Sequence, residues 1–150
     1  MTITRNEAVT HLLNGTISSF KNVVPVVANI NKPELLGKSL QITYGVLIGF
    51  TGDVRGKLIL SGDTSIFGSI GETMFGMTLD GVMLTSFSGE LGNMVAGGLS
   101  TNIAGKGINT DITAPTIMDG KTNLSGYEKA LQVPISLDQL GDIYIYILLD

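Results

Sequence analysis

The sequence predicts an α+β domain made of two related units, each a helix followed by antiparallel strands, with the helices packed on one face of a roughly six-stranded sheet. Three observations predict it. Apolar residues recur at helical spacing near the start of the chain and again from Leu84, and each time β-branched, strand-like stretches follow. The two units also align: His11-Leu12-Leu13-Asn14-Gly15-Thr16-Ile17-Ser18-Ser19-Phe20 lies over Glu90-Leu91-Gly92-Asn93-Met94-Val95-Ala96-Gly97-Gly98-Leu99. Gly52-Asp53-Val54 with Leu58-Ile59-Leu60 likewise lies over Gly141-Asp142-Ile143 with Ile147-Leu148-Leu149, the pattern of an internal duplication. Finally, 150 residues with 43% apolar and only 15% charged content suit a single domain, residues 1–150, with one core of its own.

The elements follow in order. Thr4 with Glu7 three residues later has the spacing of a capping box, and Leu12, Leu13, Ile17 and Phe20 give the helix from Thr4 to Phe20 an apolar face. Val23 to Ile30 is β-branched and extended, held to a sheet edge by Pro25. Leu40 to Phe50 and Gly56 to Ser61 read as strands joined through Thr51-Gly52-Asp53, a hairpin turn. Asp63 or Thr64 caps a second helix that ends at Phe75 before Gly76. Ser86 or Ser88 begins, or lies just inside, a third and longer helix that reaches about Ala104 and stops at Gly105; its apolar stripe is Leu84, Phe87, Leu91, Met94, Val95 and Leu99. Strands are expected over Ile108 to Met118, Tyr127 to Leu137 and Asp142 to Leu149, the last after a second Gly-Asp turn.

Composition excludes several functions. Nine Lys+Arg against thirteen Asp+Glu leave a net charge of −4, the wrong balance for tracking nucleic-acid phosphates. Without cysteine there is no disulfide scaffold, thiol nucleophile or Cys-built zinc site, and the single imidazole of His11 leaves no multi-His site. No uninterrupted apolar stretch is long enough to span a bilayer, and the amino terminus lacks the pattern of a secretory signal, so a cytoplasmic location is expected.

The candidate chemistry lies in Ser86-Phe87-Ser88-Gly89-Glu90-Leu91-Gly92-Asn93-Met94-Val95-Ala96-Gly97-Gly98-Leu99. On a helix Glu90 and Asn93 are i and i+3 and share one face, which Gly97 continues, with Ser86 and Thr101 on the same stripe as candidate partner-binding positions. An acid and an amide beside a bare backbone let a partner approach closely. The bland account is that Glu90 complements the helix dipole and Asn93 is merely solvated. Gly92, Gly97 and Gly98 argue for a geometric demand, because each costs about 0.5–1 kcal/mol against Ala in a helix interior. Whether that demand is packing or function, the pattern leaves open. Other patterns are weaker: Asp53-Val54-Arg55-Gly56-Lys57 lacks phosphate-loop spacing, Gly68, Gly71 and Gly76 make no dinucleotide fingerprint, and Asp111, Asp119, Asp138 and Asp142 are simplest as solvated carboxylates at turns or strand ends.

Three ordered blocks carry a family resemblance: Gly49-Phe50-Thr51-Gly52-Asp53-Val54-Arg55-Gly56-Lys57, Glu90-Leu91-Gly92-Asn93-Met94-Val95-Ala96-Gly97, and Asp111-Ile112-Thr113-Ala114-Pro115-Thr116-Ile117-Met118-Asp119-Gly120-Lys121. They resemble CheX, of the CheC/CheX/FliY group of bacterial chemotaxis phosphatases, in order from about Gly45 to Lys121. The resemblance implies a CheC-like fold and hydrolysis of the aspartyl phosphate of a CheY-like response regulator. Carried over by motif position, Glu90 pairs with the regulator's lysine, and Asn93 orients the attacking water. The resemblance implies no cofactor of the chain's own, with Mg²⁺ supplied by the regulator, and a homodimer paired through its sheets. The first unit offers His11-Leu12-Leu13-Asn14 where members with two sites carry a second E-x-x-N, so one working site per chain is expected, with His11 a decayed site or a surface residue. Ala114 stands where the family's block has its first of two prolines, a change expected to alter a local turn. Two alternatives stay open: a non-catalytic module of the same fold that docks a response regulator or flagellar switch component, and a helix that only packs.

Overall fold

The computed structural model describes residues 4–150. Helix α1 (Arg5–Val23) starts at its expected cap: Thr4 is extended and its Oγ1 accepts from the Glu7 backbone N–H at 3.2 Å. Short strands β1 (Ala28–Ile30) and β2 (Glu34–Leu35) follow, then β3 (Ser39–Gly52) and β4 (Gly56–Ser61), joined by the expected turn with Gly52 at φ 120°. Helix α2 (Thr64–Phe75) is preceded by Asp63 in the cap position, without a side-chain cap bond, and closed by Gly76 in the left-handed conformation. After α3 (Gly81–Ala104) come β5 (Thr110–Ile112), β6 (Thr116–Ser125), β7 (Lys129–Leu137) and β8 (Gly141–Leu149).

Eight strand segments occupy six positions of one antiparallel sheet, because β1 and β2 share the outer edge of β7 while β5 and β6 share that of β3. The order is β1/β2, β7, β8, β4, β3, β5/β6. Each unit therefore lends its outer strands to the other unit's sheet. The central pair β4·β8 matches Leu58 with Ile147, residues that the repeat had already aligned. The helices meet in the same way, since Ser19 of α1 packs against its aligned counterpart Gly98 of α3. Two self-matched contacts, one in each layer, mark an approximate two-fold axis through the molecule.

Strand alternation decides the layers. Val46, Ile48, Phe50, Leu58, Leu60, Val133, Ile135, Ile145 and Ile147 face the helices and join Leu12, Phe20, Phe67, Leu91 and Val95 in the main core. The opposite parity, with Ile59, Ala130, Tyr146 and Leu148, builds a smaller core on the other face against Leu36, Leu124 and Tyr127. The Tyr127 hydroxyl donates to the Gly37 carbonyl at 2.6 Å and ties those two covering segments together. Central strands buried on both faces explain why β4 and β8 read as almost unbroken apolar runs. Among the described residues no helix is long and apolar enough to cross a membrane.

Two element expectations are corrected. The stretch Ile108 to Met118 is not one strand: β5 and β6 both pair with β3 but are separated at 113–115, opposite Ile48 and Gly49. Pro115 has no N–H to donate, and the Thr113 side chain takes a place in the ladder, its Oγ1 accepting from the Gly49 N–H at 2.9 Å while its own N–H donates to the Gly49 carbonyl at 2.9 Å. Of Val23 to Ile30, only Ala28–Ile30 pairs as a strand, at the sheet edge, because α1 runs on through Val23.

Candidate functional site

Helix α3 begins at Gly81, five residues before Ser86 and seven before Ser88, so both serines lie inside it and neither begins it. The capping residue is the extended Asp80, and Ser88 is an interior residue with no exposure. Its Oγ donates to the Leu84 carbonyl at 2.9 Å and accepts from the buried Tyr44 hydroxyl at 2.8 Å, which pins the helix to β3. Neither Tyr44 nor Ser88 stood out in the sequence as part of a site. The available signal was a serine on the apolar side of the helical pattern.

Three sides of α3 are committed to the fold. Toward the sheet, a Cβ on Gly92 would come within 2.7 Å of side-chain carbons of both Val46 and Ile48. Toward α1, the Ser19 hydroxyl donates to the Val95 carbonyl at 2.7 Å, a Cβ on Gly98 would collide with that hydroxyl, and Asn102 Nδ2 donates to the Gly15 carbonyl at 3.1 Å. Toward β5 and β6, Ser100 and Thr110 share a hydroxyl–hydroxyl bond of 2.9 Å, and Pro115 stands 3.6 Å from where a Cβ on Gly89 would lie.

The fourth side holds the expected set. Ser86, Glu90 and Thr101 are exposed, and Asn93 and Gly97 are half-buried along the same stripe. Among the described residues Glu90 and Asn93 make no hydrogen bond or ion pair, and no buried polar atom lacks a partner, so the Asn93 amide is open to solvent. A Cβ on Gly97 would meet nothing within 4 Å, in contrast to Gly92 and Gly98. Of Gly92, Gly97 and Gly98, packing thus explains the first and the last and leaves Gly97 without a structural reason. Thr101 turns its hydroxyl back to the Gly97 carbonyl at 3.1 Å. The result is a projecting helix surface with one carboxylate, one free amide and bare backbone beside them. That form suits entry into another protein's cleft better than enclosure of a small substrate.

The matching stripe of α1 differs. Asn14 is exposed, but the Glu90 counterpart His11 is half-buried beside Asn102 and Lys106 in a cleft of about 300 Å³. No acid stands at that position to pair with a cation. A larger cleft of about 520 Å³ lies between the first turns of α1 and the β3–β4 turn, lined by Arg5, Asp53, Arg55 and Asp150, away from the α3 stripe. There Asp53 Oδ2 accepts from the Asn109 N–H at 2.8 Å, a hairpin brace in keeping with its weak claim as a phosphate loop.

Residues 44–136 match the family described as chemotaxis phosphatase CheX. The chain is 27% identical over 143 residues to the CheY-P phosphatase CheX of Thermotoga maritima, covering 91% of each sequence. Its backbone superposes on a CheC-like superfamily protein from Shewanella with a TM-score of 0.81, at 26% identity, over 93% of this chain and 97% of that one. A Borrelia burgdorferi CheX, solved as a CheX–CheY–BeF3–Mg²⁺ complex, gives 0.76 at 25% identity, over 93% and 96% of the two chains. The matched segment holds α3 with its open stripe and the break between β5 and β6, and the chain belongs to the CheX family of chemotaxis phosphatases.

Proposed function

We propose that the protein hydrolyses the aspartyl phosphate of a CheY-like response regulator by seating the α3 stripe in the regulator's phosphorylation site. The observation that carries this reading is the one uncommitted side of α3, where Glu90, Asn93 and Gly97 stand free of any structural task. The CheY found with a CheX in the Borrelia complex supports the class of partner.

The chemistry asks little of the enzyme. An acyl phosphate is an activated species; water attacks phosphorus, the bond to the aspartyl oxygen breaks, and the products are the free carboxylate and dihydrogen phosphate. Catalysis then rests on placing the water and balancing charge. Asn93 is suited to the first task, because its amide both accepts and donates hydrogen bonds. Glu90, one turn earlier on the same face, is suited to pairing with the regulator's lysine. The stripe offers only one carboxylate, far short of the six oxygens of a Mg²⁺ shell, so the metal that neutralises the phosphoryl oxygens is assigned to the regulator. A cytoplasmic setting and a homodimer paired through the sheets complete the reading. The outer edge of β6, unpaired among the described residues, supports the latter.

The test is the rate of phosphate loss from an acyl-phosphorylated CheY-type regulator. Asn93→Ala is expected to slow turnover at least 100-fold while binding stays near wild type, since the amide acts mainly in the transition state. Glu90→Ala is expected to weaken binding and turnover together. Full activity in Asn93→Ala would refute the water-positioning role. Binding by the wild type without acceleration would leave a docking module.

A further inference from the structure

Four large apolar side chains crowd one exposed corner of the molecule, where α2 ends and α3 begins. Phe75 is 59% exposed, Met77 50%, Val82 81% and Met83 50%. The corner is structured from within. The Phe75 ring meets Phe87 edge to face with centroids 5.7 Å apart, and Leu79, in the same turn, is buried against Gly71. Exposed apolar clusters of this kind mark interaction surfaces, and methionine and aromatic residues are favoured there.

Their position gives them an occupant. Val82 lies four residues before Ser86 and eight before Glu90, and Met83 lies three before Ser86 and seven before Glu90, so both sit at helical spacing in line with the open stripe. The combined surface from Met83 to Thr101 runs about 27 Å along the axis, at 1.5 Å per residue. That is close to the width of one partner's side of a standard interface, about 800 Å². We infer that the Phe75–Met77–Val82–Met83 corner is the anchoring part of the regulator-docking surface, continuous with the polar stripe and taking an apolar patch on the same regulator. The inference rests on the proposed function. It divides the labour: Glu90 and Asn93 serve the chemistry, while the corner supplies affinity that one acid and one amide, largely hydrated before docking, do not.

The experiment uses the full chain carrying Val82→Glu and Met83→Glu together, substitutions that place acids in the first turn of α3, where the helix dipole favours them and folding is not at risk. The probe is a CheY-type regulator held in its activated form by beryllofluoride and Mg²⁺. The expected result is a dissociation constant raised at least tenfold, with the KM for phosphorylated regulator rising in parallel and kcat within twofold of wild type. Phe75→Ser should act in the same direction, and Val27→Ser, at an exposed residue beside β1 whose carbonyl accepts from the Asp138 N–H, should have no effect. Unchanged affinity and KM in the double variant would overturn the inference. So would loss of self-association in sedimentation with regulator affinity intact, which would make the corner a contact between copies. Failure of the parent reading looks different, because the wild type itself would then neither bind the regulator nor accelerate phosphate loss.

Discussion

The three glycines in the middle of α3 are alike in sequence and unlike in consequence. Gly92 and Gly98 are held small by the side chains packed over them, the Val46 and Ile48 methyls on one side and Ser19 on the other. Gly97 faces open space. Gly92→Ala and Gly98→Ala should therefore destabilise the fold by about 1–3 kcal/mol through overpacking. Gly97→Ala should stabilise it by about 0.5–1 kcal/mol through helix propensity. Denaturant unfolding of the three variants checks both signs. A bulky Gly97→Leu should leave stability close to wild type yet slow dephosphorylation of the regulator, because its side chain would stand where the proposed docking brings the partner. The motif residues were legible at this scale: their spacing alone set Glu90, Asn93 and Gly97 on one face. What the sequence could not sort was which glycine served packing, since that depends on atoms distant in sequence.

At the scale of elements, sequence reading succeeded where the signal was local and failed where a partner strand or a buried hydroxyl decided the outcome. The start of α1 was legible because Thr4 and Glu7 form a self-contained cap. The start of α3 was legible only loosely, because Ser86 and Ser88 could either cap the helix or lie inside it, and Ser88 is a buried link to Tyr44 across 44 residues. The break between β5 and β6 was hidden for a similar reason: it answers to Gly49 of β3, whose N–H is taken by the Thr113 hydroxyl. The Tyr44–Ser88 bond makes a prediction proper to the helix as a unit. Ser88→Ala strands a buried phenol, so it should cost about 1–3 kcal/mol, whereas Tyr44→Phe with Ser88→Ala removes both partners and should recover part of that loss. A double-mutant cycle followed by denaturant unfolding measures the coupling.

For the whole molecule, the duplication was legible in outline and its exchange was not. Aligned residues such as Leu58 and Ile147 announced two units, but nothing local says that β1 and β2 pair with β7 of the second unit while β5 and β6 pair with β3 of the first. Side-by-side halves would have given the same pattern of helices and strands. The exchange matters for cooperativity, because each unit's outer strands are satisfied only by the other. A chain divided in the exposed segment between α2 and α3 should yield two pieces that are each unfolded alone and that assemble when mixed. Circular dichroism of the separate and combined pieces tests this, and two independently folded halves would contradict it.

The same exchange bears on how the chain is made. During synthesis the first unit leaves the ribosome with β3 and β4 formed as a local hairpin but with its outer and central edges open, since β5 and β6 and then β8 arrive only later. Closing those edges joins segments far apart along the chain, which is the slow kind of contact to form. The vulnerable interval of this protein is therefore its birth rather than its working life: a nascent half with bare strand edges is a substrate for chaperones and for aggregation until the last nine-residue strand, β8, zips the two units along their shared axis.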